Sequence, residues 1–132
     1  MSGPHQKAWA PKTRARRQQA ERSGRRAETL AAIFLRFKGY SIIAQRVRTP
    51  GGEIDLVARR GKVLAFVEVK ARRSVDHAIE AVTPTARRRI AQAAGFFLSR
   101  HQGLAHCAIR YDIIAIAGWR AHHLRDAWRD EA

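Results

Sequence analysis

From about residue 22 to 38 the apolar positions recur at helical spacing. Ala27, Leu30, Ala31, Phe34 and Leu35 fall at i, i+3, i+4, i+7 and i+8, one face of a helix, and Gly39 follows as its C-cap glycine. The period then changes. Residues 40–48 form a β-branched stretch that reads as a strand, and Thr49-Pro-Gly-Gly52 is a turn. Residues 53–60 and 62–70 read as two further strands joined at Gly61. Thr83 and Pro84 supply an N-cap and a proline at the first helical position. The second helix they open runs to about 100 and turns Ile90, Ala93, Ala94, Phe97 and Leu98 inward. Residues 107–117 give a fourth strand, and Gly118 leads into a short last one near 120–125. The order is helix, three strands, helix, then one or two strands. That predicts an α/β fold in which helices flank a mixed central sheet.

The chain has 132 residues, enough for one ordinary domain, and 45% of them are hydrophobic, enough for a core. Charge changes the picture more. Lys and Arg number 26 against 11 Asp and Glu, a net charge of +15. Such an excess predicts a polyanionic partner or an anionic membrane surface. Residues 1–26 alone hold eight basic side chains against Glu21, with Trp9 their one large apolar residue. Such a stretch cannot bury enough apolar surface to offset its ordering entropy. Residues 1–21 are therefore expected to be a basic, unfolded arm, and 22–132 the folded domain. A single cysteine, Cys107, excludes a disulfide framework and is expected to be a small core residue. No apolar run is long enough to span a bilayer, and no apolar segment of secretory type follows Met1. A cytoplasmic protein with no membrane partner is expected.

Against this basic background, the carboxylates set among apolar strand residues stand out. Asp55 lies between Ile54 and Leu56, and Glu68 between Val67 and Val69. If Gly61 and Lys62 are the central turn residues, as a type II′ turn prefers, Asp55 stands opposite Glu68. If Arg60 and Gly61 turn instead, Asp55 faces Phe66 and Glu68 is its diagonal neighbour. Both registers put Asp55, Glu68 and Lys70 on one face and Ile54, Leu56, Val67 and Val69 on the other. Adjacent carboxylates repel, and a divalent cation relieves that repulsion. The pattern therefore predicts a Mg²⁺ or Mn²⁺ site, with Lys70 beside it to orient water or hold a phosphate oxygen. A cross-strand salt-bridge cluster is the structural alternative.

These residues carry a family resemblance. Gly51-Gly-Glu-Ile-Asp-Leu-Val-Ala58 followed by Phe66-Val-Glu-Val-Lys-Ala-Arg72 resembles the bacterial YraN-like family. Through it the chain is similar to the restriction-endonuclease-like PD-(D/E)XK superfamily, which includes Holliday-junction resolvases. The likeness spans roughly 24–117 and takes in Ala27-Glu28, Gly39-Tyr40, Ala81-Val-Thr-Pro84 and Arg110-Tyr-Asp112. It implies a single restriction-endonuclease-like domain of α-β-β-β-α-β order. It also implies a metal-dependent nuclease that hydrolyses DNA phosphodiesters, with selectivity for DNA structure as one form of that activity. Asp55, Glu68 and the Val69 carbonyl would hold the metal, with Lys70 and Glu28 catalytic. The sequence departs from the pattern at three places. Ile54 replaces a common proline, Ala27 a usual glycine, and Ala86 a usual lysine.

The basic side chains expected to meet nucleic acid are Arg25 and Arg26, Arg72 and Arg73, and Arg87, Arg88 and Arg89. The last three open the second helix, where cations oppose its dipole, although a solvated face reads the same way. DNA is the expected partner ahead of RNA, and a homodimer stays open. Trp9, Trp119 and Trp128 are candidates for base stacking or for packing. The histidines lack zinc-type spacing, and His122 and His123 should face opposite ways on a strand. Two other function classes fit the charge: a nucleic-acid-binding protein that does not cleave, and an assembly protein whose arm docks on RNA.

Overall fold

The computed structural model describes residues 24–129; the basic arm, with Trp9, lies outside them. Helix α1 covers 24–37 and is followed by strands β1 (Ser41–Thr49), β2 (Gly52–Arg60) and β3 (Val63–Ala71). After β3 come a short helix α2 (Val75–Glu80) and the long helix α3 (Pro84–Arg100). A 3-10 turn (Gln102–Leu104) leads to β4 (Ala108–Ala117) and β5 (Arg120–Trp128). The five strands form one sheet in sequence order, parallel only between β3 and β4. This is a mixed sheet with α1 on one face and α3 on the other, the expected restriction-endonuclease-like arrangement with β5 added at the edge. No described helix is long and apolar enough to cross a membrane.

The α1 side of the core is built from small residues. Ala27, Ala31, Ala32 and Leu35 are buried against Leu56, Ala58, Val67, Val69, Ile114 and Ile116. Alanines along the contact line let the helix lie close to the sheet, and they also rotate its buried stripe away from the expected one. Leu30, expected inward, is 44% exposed, and Phe37 is 88% exposed. On the other face Ile90, Ala93, Ala94 and Phe97 of α3 meet Ile54, Val57, Leu64, Phe66, Tyr111 and Ile113 as the spacing predicts. Cys107 is buried at the edge of that cluster. Thr83 caps α3 by accepting a hydrogen bond from the Ala86 amide.

Helix α2 was not expected. Ser74 caps it and accepts from the His77 amide, but the helix has only six residues, too few to show a periodic apolar face. The last strand also runs further than expected, to Trp128, which stacks on Tyr111 with centroids 5.2 Å apart. Trp119 projects 87% exposed from the β4–β5 turn.

The β2–β3 hairpin takes the first of the two registers. Arg60 pairs with Val63 and Leu56 with Val67, so Gly61 and Lys62 turn. Gly61 has φ +60 while Lys62 stays out of the left-handed region, as a type II′ turn requires. At the other end of β2, Gly52 has φ +148, and a Cβ there would meet the Arg89 carbonyl at 3.1 Å. Glycine thus lets the β1–β2 turn lie directly against α3.

Candidate active site

Strand β2 does not keep one pleat phase. Leu56 belongs to the α1 side, with Val67 and Val69, but Ile54 belongs to the α3 side, with Val57. The expected grouping of Ile54 with Leu56 is therefore corrected: the strand changes phase at Asp55. Strand β1 does the same at the facing position. Ala44 and Val47 both reach the α3 side, and Arg46 between them has φ +52. The register pairs Gln45 with Leu56 and Val47 with Ile54, which sets Arg46 opposite Asp55. A left-handed residue in one strand and a phase change in its neighbour together kink the ribbon there.

The kink ends the β2–β3 ladder. Its last pair is Leu56 with Val67, and beyond it the Asp55 carboxylate takes the ladder's place. Asp55 Oδ2 accepts from the Val69 amide at 2.8 Å. Within an extended strand a residue's N–H and C=O leave along the same edge, so the Val69 carbonyl also lies on the Asp55 side. Glu68 stands beside Asp55, and Lys70 Nζ lies 3.5 Å from Glu68 Oε2. The Glu68 side chain is only 12% exposed. Burial first, then the neighbouring Asp55 carboxylate, push Glu68 up to about 8, with Lys70 pulling the other way.

Helix α1 closes the site. Gly24, Ala27 and Glu28 line the same cleft of about 420 Å³ as Asp55, Glu68, Val69, Lys70 and Arg72. Glu28, Asp55, Glu68, Lys70 and Val69 thus line one cleft. Glu28 is turned toward Arg46, whose Nε donates to Glu28 Oε1 at 2.7 Å. Among the described residues no three His, Cys, Asp or Glu side chains gather as a ready-made metal cage. The donor set nonetheless suits a hard divalent cation. Two carboxylates share the site, a carbonyl stands beside them, and the cleft leaves room for water and phosphate.

The basic residues divide. Arg72 lines the cleft, Arg73 is exposed just after it, and Arg25 and Arg26 are exposed at the start of α1. Arg87, Arg88 and Arg89 sit on α3, outside that cleft. Arg87 donates to the Val82 carbonyl and covers the Trp128 ring, while Arg88 reaches Thr85 and remains exposed, as Arg89 does.

A second polar cluster lies under the C-terminal end of α1; sequence reasoning met Tyr40, Arg110 and Asp112 only as part of the family resemblance and did not join them with Lys38 and His123. Asp112 is fully buried. It accepts from Arg110 at 2.8 and 2.7 Å, from His123 Nε2 at 2.7 Å and from the Asp126 amide at 2.9 Å. Arg110 also reaches the Tyr40 hydroxyl, and Lys38 Nζ lies 2.5 Å from His123 Nδ1. Burial alone would raise Asp112, but the His123, Arg110 and Asp126 hydrogen bonds hold it below the ordinary carboxylate range. His122 faces solvent and His123 the interior, as expected. The available signal was an acid inside the apolar run 111–117, two residues after an arginine.

Residues 27–116 match the sequence profile of uncharacterised protein family UPF0102. The chain belongs to this family. It is 50% identical over 125 residues to the UPF0102 protein of Paramagnetospirillum magneticum, covering 91% of this chain and 96% of that one. A UPF0102 protein of Chelativorans is 53% identical over 108 residues, 80% of this chain and 87% of the relative. That of Rhizobium meliloti is 49% identical over 123 residues, 92% and 99% of the two chains. Membership matches the YraN-like resemblance read from the sequence.

Proposed function

We propose that this UPF0102 protein is a metal-dependent nuclease that hydrolyses DNA phosphodiesters at the Asp55–Glu68 cleft. One observation carries the reading. The β2–β3 ladder opens where Asp55 takes the Val69 amide, and this sets two carboxylates, a carbonyl and Lys70 around a solvent-accessible cleft. A sheet gains nothing in stability from two half-buried acids side by side, so their placement favours chemistry over packing.

Asp55, Glu68 and the Val69 carbonyl would hold Mg²⁺ or Mn²⁺, and the cation would supply Lewis-acid activation of water and phosphate. Glu68 would give up its proton to solvent when the cation binds. Lys70, on the same strand two residues on, orients the attacking water or holds a phosphate oxygen. Glu28 approaches from α1 to support the metal or its water. Arg72, Arg73, Arg25 and Arg26 stand at and around the cleft, where they can neutralise the phosphates on either side of the reacting one. Arg87, Arg88 and Arg89 offer a more distant backbone contact, and the net charge of +15 gives the sequence-independent attraction.

The test is a cleavage panel of linear, flapped, single-stranded and four-way DNA with Mg²⁺ or Mn²⁺. At least one substrate should be cut, with cutting abolished by chelation and by Asp55→Asn. Lys70→Ala should slow cutting by about 10² to 10⁴ while melting at the wild-type temperature. A folded wild type that cuts none of these substrates contradicts the proposal. So does a Lys70→Ala protein that melts early but cuts normally per folded molecule, which is what a salt-bridge cluster would give.

A further inference from the structure

We propose that Arg46 is a latch that holds Glu28 away from the acid pair until a substrate phosphate takes the guanidinium. Glu28 is then released toward the metal position. The inference rests on the metal-dependent reading of the cleft and adds an order of events to it.

Three observations support it. Arg46 has φ +52 in the middle of β1, a conformation that an L side chain larger than Asn rarely adopts. Strain of this kind persists only where the surroundings impose it, and here it sits opposite Asp55, at the kink that creates the site. Next, Arg46 makes a single contact with Glu28, Nε to Oε1 at 2.7 Å, and is itself 43% exposed while Glu28 is 17% exposed. Its two terminal amino groups have no partner among the described residues. They remain for the bidentate contact that arginine makes with phosphate oxygens. Finally, Glu28 lines the cleft with Asp55 and Glu68 but does not gather with them. Among the described residues the one charged group bonded to it is Arg46.

A guanidinium paired with Glu28 cancels the charge that a cation would otherwise draw in. A phosphate competing for Arg46 restores that charge when substrate is present. Metal-site completion and substrate binding are then linked, and each must favour the other by the same factor.

The test measures Mn²⁺ affinity by calorimetry on full-length protein without DNA, for wild type, Arg46→Asn, Glu28→Gln and the double variant. Asn tolerates the left-handed backbone, so the fold is kept, and metal-free melting checks this. The latch predicts that Arg46→Asn tightens Mn²⁺ binding by about 5-fold or more, and that the gain vanishes in the Glu28→Gln background. Equal tightening in both backgrounds would mean that Arg46 acts only as a nearby positive charge, and would overturn the latch. No tightening while wild type binds Mn²⁺ also overturns it and leaves the metal site standing. A wild type that binds no Mn²⁺ removes the site and the latch together. With Ca²⁺ as a non-cleaving cation, a short DNA duplex should tighten metal binding more in wild type than in Arg46→Asn. Equal gains contradict the release step.

Discussion

Glu68 occupies a place where its charge is unfavourable. Its burial and the Asp55 carboxylate raise it from 4.5 to about 8, while Lys70 offsets part of the rise. Between those two values the folded protein keeps a proton that the unfolded chain has lost. The stability this group contributes is therefore fully present below about 4.5 and declines as pH rises toward and through about 8. Metal-free wild type should lose melting temperature over that window relative to Glu68→Gln, which does not titrate. Thermal melts of both proteins between about pH 5 and about pH 9 check this, and parallel curves would contradict it. Asp55, Glu68 and Lys70 could be picked out from the sequence because carboxylates are rare and costly inside apolar strands. Arg46 could not be. Its role depends on a positive φ, which an arginine codon does not announce, and on a partner 18 positions away in another element.

At the scale of elements, α1 is fixed at both ends by polar contacts and along its middle by alanines. Its start carries Glu28 into the cleft, and its end is tied to β4 and β5 through Tyr40, Lys38, Arg110, His123 and Asp112. The tie matters to the site because a tilt of α1 would move Glu28. Asp112→Asn removes the charge that Arg110 and His123 share and leaves a half-buried guanidinium uncompensated. Breaking a buried pair on one side costs about 3 to 5 kcal/mol, so the midpoint of denaturant unfolding should drop clearly. A loss below about 1 kcal/mol would show that the cluster is not a structural tie. Helix and strand order was legible because the long segments have clear periods. The exposed Leu30, the phase change at Asp55 and the short helix α2 were not. Each depends on how closely elements pack or on a run too short to carry a period.

The whole molecule combines a small mixed sheet, one acidic cleft and a large positive charge. Under the proposed function the charge would attract a polyanion without choosing a sequence, and the cleft would supply a place where one phosphate could react. Charge and composition made the first half of this account readable from the sequence. The second half needed the fold, since Asp55, Glu68 and Glu28 lie on three elements and line one cleft only because α1 crosses the open end of the hairpin. The measurement that tests the central claim most directly is the melting temperature of wild type and Asp55→Asn as Mn²⁺ is titrated. Metal that binds only the folded state raises it, by about 2.7 kcal/mol of stability at 100 times the dissociation constant. Wild type should show a saturable rise and Asp55→Asn, still folded, should show none. An equal response in the two proteins would contradict a metal centre at this cleft.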